Sequence, residues 1–472
     1  MNQILLTKQV SEKKNVHFML IAICIGSFVS HFTAGIVNVS LPHLAKIFHV
    51  GIGAAQWITT GYLFVIAAFL PLMGKLGDQY GHRHVHNLGY ALFTISSVLV
   101  AFSPNIYVLL IFRMLQAVGA AMFQATNIAL ITIHFPVKKR GRALGILGTA
   151  VALGGMTGPI VGGFIAQWFQ WQWLFLIHVP VILTATLFAY QFIPKEFPEK
   201  RTDPFDGLGA FLFALLISFI IFGVSNGNIW GWLSSKMIII FLLASMTMLL
   251  LIWRELSHCS PFLPLRVLCN RAVASGLLIS STSFIVANTI LVVMPFYLTS
   301  IDEISPLQIG YLMAAYPLAL AFSGPIAGNL SDRYGSRVFQ FFGLCSMGVG
   351  SLVLMSFLGQ LSMFGIVGAL ILIGFGMGLI TSPNNSFIMQ HVPSEFVGML
   401  GGMIALTRNV GMVLGAALGL GLMNGATQGE ALILDASITV FRMNVFIIVV
   451  SLMIFWSSIL LGKQQKRKSI SN

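Results

Sequence analysis

Gly74-Lys-Leu-Gly-Asp78-Gln-Tyr-Gly81-His-Arg83 sets charge and glycine between two long apolar stretches. The pattern returns as Gly328-Asn-Leu-Ser-Asp332-Arg-Tyr-Gly335-Ser-Arg337, with Gly, Leu, Asp, Tyr, Gly and Arg at the same relative positions. A chain that repeats so unusual a segment predicts two related halves.

The surroundings of both copies are overwhelmingly apolar. Hydrophobic residues make up 57% of the chain and charged residues 8%, about a third of the ~25% usual in soluble domains. Lipid is therefore the expected solvent. The formal charge of +13 does not point to nucleic acid, because the cations sit in short connections between apolar segments. The 4 cysteines define no disulfide framework: Cys24 and Cys345 fall in apolar stretches, Cys259 and Cys269 in a charged connection. The polar start, Met1 to Asn15, leads into an apolar run too long for a signal-peptide core, which reads as a retained helix.

A spanning helix needs ~20 mainly apolar residues. Stretches near 17–41, 54–73, 86–104, 106–134, 143–167, 172–193, 207–225, 235–254, 272–299, 307–328, 338–359, 361–390, 398–424 and 441–462 qualify, so the expected fold is an all-α polytopic membrane protein with 14 spans. Lysine and arginine concentrate on one side: Lys75, Arg83, Lys138, Lys139, Arg140, Arg142, Lys195, Lys200, Arg201, Arg254, Arg266, Arg271, Arg333, Arg337 and both tails. The other side shows only Lys46, Lys236 and Arg442, and carries Asp302, Glu303, Glu430 and Asp435. The positive-inside rule then puts both termini in the cytoplasm of a cell-membrane protein.

The first copy of the repeated segment follows span 2 and the second follows span 10. Six-helix halves in direct succession would place the second copy after span 8, so two helices are expected between the halves. The predicted organisation is a tail over 1–16, a first six-helix half over 17–193, linkers and two inserted helices over 194–271, a second half over 272–462 and a basic tail over 463–472. Trp230 and Trp232 join the inserted helices and suit an interfacial anchor. Two related halves in a membrane is a transporter architecture.

The segment Gly74–Arg83 resembles the loop between helices 2 and 3 of the major facilitator superfamily. The resemblance implies that Gly74, Asp78, Gly81 and Arg83, with Gly328, Asp332, Gly335 and Arg337, form cytoplasmic gates. From the residues alone, Asp78 can accept hydrogen bonds from a helix N-terminus and pair with a cation. Span 5 carries Gly145, Gly154, Gly158, Pro159, Gly162 and Gly163 in the pattern G-x8-G-x3-GP-xx-GG. It is similar to the antiporter motif of drug-export members, although small residues also serve close helix packing.

Arg113, with Gln116, sits inside span 4, and Arg408 inside span 13. An intramembrane charge is costly and marks a functional position. Arg113-Met-Leu-Gln116-Ala-Val-Gly119 resembles the family's span-4 motif, which implies proton coupling or substrate binding. Thr407-Arg408-Asn409, Gly374-Phe-Gly376-Met-Gly378, Pro383-Asn384-Asn385, Gln56-Trp57…Tyr62 and Trp171-Gln172-Trp173…Val179-Pro180 resemble the fourteen-helix drug:proton antiporter branch, the EmrB/QacA type.

One departure stands out. Where that branch has an acid in span 1, this chain has Thr33, within Phe32-Thr33-Ala34-Gly35-Ile36-Val37-Asn38. No Asp or Glu falls mid-span anywhere, which argues for neutral or anionic substrates over permanent dications. His31 and Asp78 are the candidate proton carriers. His82, His84 and His86 lack the partners of a metal set, and Asn127, Gln124, Asn288, Asn384 and Asn385 are possible polar contacts for a substrate. No P-loop, no metal site and no catalytic set is found, so no cofactor and no enzyme are expected. The expected partners are a small-molecule substrate, protons and the bilayer. The resulting expectation is proton-coupled efflux of hydrophobic or amphiphilic compounds. Its alternatives are a dedicated exporter or importer of one metabolite or organic anion, and a non-transporting sensor.

Overall fold

The computed structural model describes residues 2–50, 57–195, 206–258, 262–263, 265–299, 306–360, 362–423 and 430–470. Gln56, Lys200, Arg201, Cys259, Asp302 and Glu303 lie outside these residues, as do the side chains of Pro159, Arg266, Glu430 and the two basic tails.

Helices account for nearly all of the described chain. They are α1 Asn2–Ile47, α2 Trp57–Tyr80, α3 His82–Ala101, α4 Ile106–His134, α5 Val137–Trp168, the short α6 Trp173–Leu176, and α7 Val179–Phe192. There follow α8 Gly207–Trp230, α9 Ser235–Ser257, the short α10 Leu265–Leu268, α11 Arg271–Thr299, α12 Pro306–Tyr334, α13 Ser336–Phe357, α14 Met363–Gln390, α15 Val397–Met423 and α16 Glu430–Ile470. A hydrocarbon environment requires that backbone polar groups be satisfied within each segment, which is why the apolar stretches become helices.

Each of the fourteen expected stretches is mainly helical over its described residues, but twelve helices among the described residues, not fourteen, are long and apolar enough to cross a membrane. The two others are α3 and α5. Helix α3 opens on His-Arg-His-Val-His-Asn, which leaves its apolar run from Leu88 to Ala101 short. Helix α5 is continuous, and several of its side chains, from Met156 to Gln167, lie outside the described residues.

The chain divides into two compact units: residues 1–202 with 393–405, and residues 203–392 with 406–472. In the first, α1 packs on α5 and α7, α2 on α4, and α3 on α4 and α7. In the second, α11 packs on α16, α12 on α14, and α13 on α14 and α16. Numbered by span, all four pairs given for the second unit recur in the first, so the repeat foreseen from one segment extends to the packing. Ile36, Val37, Leu109 and Phe175 lie in the core of the first unit, and Val286, Met294, Met347, Ile373 and Phe441 in that of the second.

Helices α8 and α9 pack on each other. Asp206 caps α8 through the Gly209 N–H (3.0 Å) and pairs with Arg254 at the end of α9 (3.1 Å). Burial pushes the Asp206 carboxyl up, but the Gly209 N–H and Arg254 outweigh it and hold it below the usual carboxylate range. Glu255 accepts from the Leu263 N–H at 3.0 Å. Ile238, Ile239, Leu242, Leu249 and Trp253 of α9 are exposed, as a lipid-facing stripe requires.

Candidate functional site

The repeated segment is not a loop. Gly74–Tyr80 forms the last turns of α2, and Gly81 alone makes the reversal into α3. Its φ of 93° is one that L side chains rarely adopt, and Gly335 repeats it at 88° between α12 and α13. Each turn closes the same way: Gly81 N donates to Gly77 O, and Gly335 N to Ser331 O, both at 2.9 Å. Charge had suggested a loop, but a helix can carry polar turns once it clears the apolar layer.

At the first copy, Asp78 accepts two backbone hydrogen bonds, from Gly398 N at 2.8 Å and Met399 N at 2.9 Å. These are among the orphan donors that begin α15, where the helix dipole favours a negative charge. The approach depends on glycine. A Cβ on Gly398 would meet Gly74 O at 2.6 Å, one on Gly402 would meet Leu70 O at 2.5 Å, and one on Gly401 would meet Ala125 O at 3.0 Å. The His82 ring lies beside the same carboxylate, Nε2 to Oδ1 3.4 Å, and the Asp78 side chain is only 4% exposed. Arg83 donates to Tyr190 O at 2.6 Å and lies over the Tyr190 ring, tying α3 to α7. Lys75 lies over Phe396.

At the second copy, Ser331 replaces Gly77 and donates to Gly328 O at 2.9 Å, Ser336 replaces His82, and Asp332 is half-exposed. Arg337 lies over the Phe387 ring at 5.3 Å.

Deep in the first unit, Arg113 is fully buried. Its guanidinium donates to Thr33 Oγ1 at 3.3 Å, Thr33 O at 3.4 Å, Ile58 O at 3.4 Å and the Gln116 side-chain carbonyl. It stacks 3.9 Å from the Tyr62 ring centre, with Phe175 at 5.5 Å. Every acceptor is neutral: Thr33, at the position of the missing acid, still receives the guanidinium but does not neutralise it. A cation desolvated without a counter-ion is expensive and therefore disposed to attract an anion or an electron-rich group. Gln116 passes the network on, its Nε2 donating to Ser97 Oγ at 2.6 Å, and His178 reaches the same hydroxyl at 3.1 Å. Beside it, Tyr62, Ser30 and Gln124 are joined, and Asn127 donates to Ser27 Oγ at 2.7 Å.

The structure thus brings Thr33, Arg113 and Gln116 together. His31 donates its Nδ1–H to Ser27 O at 2.9 Å, within its own helix. Arg408 is half-buried on the part of α15 that belongs to the second unit. Asn384 donates to Gly276 O and accepts from Gln340, both at 2.9 Å, and Asn288 donates to Met412 O, which makes them interhelical ties. Of the alternating histidines, His82 and His86 are buried and His84 is exposed; His86 meets Thr126 Oγ1 at 2.9 Å. Ser97 and His178 were not among the residues singled out for this network. A serine in a helix reads as a small packing residue, and His178 opens an apolar stretch far away in sequence.

The glycines of α5 face α1. A Cβ on Gly154 would overlap Phe28 O, and on Gly158 and Gly162 it would lie 2.6 Å from Phe32 O and Ile36 O. Ser40 donates to Gly162 O at 3.3 Å. Gly163 has open space, and Gly145 and Pro159 lie within the helix. In the second unit a Cβ on Gly411 or Gly415 of α15 would lie 2.7 Å from Ser281 O or 2.6 Å from Ile285 O of α11, in the same four-residue register.

The profile of the Major Facilitator Superfamily matches residues 23–416 and 273–469. The riboflavin transporter RibZ of Clostridioides difficile is 34% identical over 86% of this chain and 87% of its own length. The multidrug resistance protein Stp of Mycobacterium tuberculosis is 30% identical over 84% and 74%. The human organic anion transporter MFSD10 shares the fold, with a TM-score of 0.63 at 14% identity over 93% of this chain and 99% of that one. The chain belongs to the major facilitator superfamily. It is a multi-pass membrane protein and a secondary transporter of a small molecule, not an enzyme.

Proposed function

We propose that the protein is a proton-coupled exporter of neutral or anionic amphiphilic compounds, in the fourteen-helix drug:proton antiporter branch. Its α3 and α5 complete fourteen spans, both termini lie in the cytoplasm of the cell membrane, and the two six-helix halves flank the inserted pair α8–α9. Alternating access moves the substrate, and the turns at Gly81 and Gly335 are the cytoplasmic gates. Asp78 holds the start of α15 in one access state and releases it in the other.

The observation that carries this reading is Arg113, buried at depth and held by neutral acceptors only. A guanidinium with no carboxylate beside it suits an anion or a polar neutral group and repels a permanent dication. Relatives named for multidrug resistance support export. The relative named as a riboflavin transporter favours a second reading, a carrier dedicated to one metabolite. Cells lacking their own pumps, loaded with fluorescein, riboflavin or propidium with and without an uncoupler, separate the cases. Uncoupler-sensitive loss of fluorescein from several-fold loaded cells is expected. Export of propidium alone overturns the substrate class, and uncoupler-insensitive export overturns antiport.

A further inference from the structure

Proton coupling needs a group that gains and loses a proton at depth. The 13 acidic residues fall at span ends, in linkers or in tails, and arginine does not deprotonate. Histidine remains. His31 commits its Nδ1–H to Ser27 O, and His86 is held by Thr126 near the start of α3. His178 is buried and joined to the Arg113 network.

The hydrogen bonds at Ser97 fix the state of that ring. Ser97 has one hydroxyl proton, and it is donated to Phe93 O at 2.7 Å. The oxygen already accepts from Gln116, so His178 Nε2 must be the donor at 3.1 Å. The neutral ring therefore carries its lone pair on Nδ1. That atom is buried with no hydrogen-bond partner among the described residues. Helix α3 presents Phe93 and Ser97 to the ring, neither of them titratable. Helix α4 presents Arg113, whose positive charge reaches it, and the spanning stretch of α1 contains no carboxylate.

We propose that His178 Nδ1 is the proton-binding site of the transport cycle, and that its occupancy and the seating of Arg113 on Thr33 exclude one another. The inference rests on the proton-coupled reading above. A proton delivered by water adds to the Nδ1 lone pair and leaves by the same route, with no other bond made or broken. An imidazolium and a guanidinium in one dry network repel. Protonation thus loosens Arg113 from Thr33 and Gln116 and discharges a substrate drawn to the guanidinium in that seat, as antiport requires. The return of Arg113 expels the proton.

The test needs no substrate. In full-length protein labelled with 15N-histidine, in nanodiscs, the resonance missing from His178→Gln is followed through a pH titration, with His178→Asn as a second variant for the assignment. Its midpoint is expected to rise by about one pH unit, a tenfold change in proton affinity, when Arg113→Gln removes the charge. A resonance that never titrates, or a midpoint indifferent to Arg113, overturns the proposal. In proteoliposomes with riboflavin as probe, His178→Gln is expected to lower pH-gradient-driven flux about tenfold and leave counterflow within about twofold. Coupled flux equal to wild type in that variant also overturns it. Flux indifferent to the gradient in the wild type instead rejects the proton-coupled reading.

Discussion

Asp78 and Asp332 hold the same place in two copies of one segment, yet their surroundings differ. Both copies bend at a glycine with the same positive φ, and both halves pack small residues against a facing helix in a four-residue register. Asp78 is buried under the first backbone N–H groups of α15 with His82 beside it, whereas Asp332 is half-exposed near serines. The first unit buries an arginine on neutral acceptors, and the second ties its core with Asn384, Gln340, Thr289 and Asn444. Duplication preserved what shapes the backbone while the chemistry diverged, and on the reading proposed above the first half does more of the charge-dependent work.

The sharpest break in that comparison comes from the buried polar groups. Arg113→Ala should lower transport by about 100-fold or more, the scale of losing a positioned charge at a working site. Asn384→Ala, which leaves Gln340 Nε2 without its acceptor, should cost about 1–3 kcal/mol of stability and only a few-fold in transport. Initial-rate flux alongside thermal unfolding in detergent separates the two; equal flux losses would erase the asymmetry.

The acids come next. Asp78→Asn removes a charge from two backbone N–H bonds at a helix start, each worth about 1.5–3 kcal/mol when charge-assisted, and should slow transport about tenfold with normal membrane insertion. Asp332→Asn should stay within about threefold of wild type, as a half-exposed charge implies. Comparable losses in both would show that the two copies do equal work.

The smaller effects should be symmetric. Gly158→Leu and Gly411→Leu each force a side chain against a facing carbonyl, at a cost of about 1–3 kcal/mol. Gly81→Ala and Gly335→Ala impose a positive φ on an L residue, for about 1–2 kcal/mol apiece. Unfolding midpoints measured pairwise check both. A large inequality within either pair would mean that the shared geometry is not shared in energy.

Much of this was legible before any coordinates. The repeated segment announced the halves. Thr33 marked a missing acid, and the structure places that very residue against Arg113. What escaped was set by geometry between distant residues. The motif read as a signature of exporters is, in space, a row of glycines seated on carbonyls of α1. The segment read as a loop is helix up to Tyr80, because charge reports distance from lipid rather than the end of a helix. Helix α3 is apolar over too few residues to register as a span, since its polar first turns include His82 beside Asp78 and Arg83 tied to Tyr190.

The hairpin of α8 and α9 closes upon itself, with Asp206 clasping Arg254 across the two ends that meet. During synthesis such a pair can leave the ribosome, fold back and enter the bilayer as one parcel, without waiting for later helices. An ancestor could have acquired it between two finished halves without redrawing the packing of either. On the fourteen-helix reading proposed above, the longer form would arise by insertion of a cassette, and the clasp would be the mark it left.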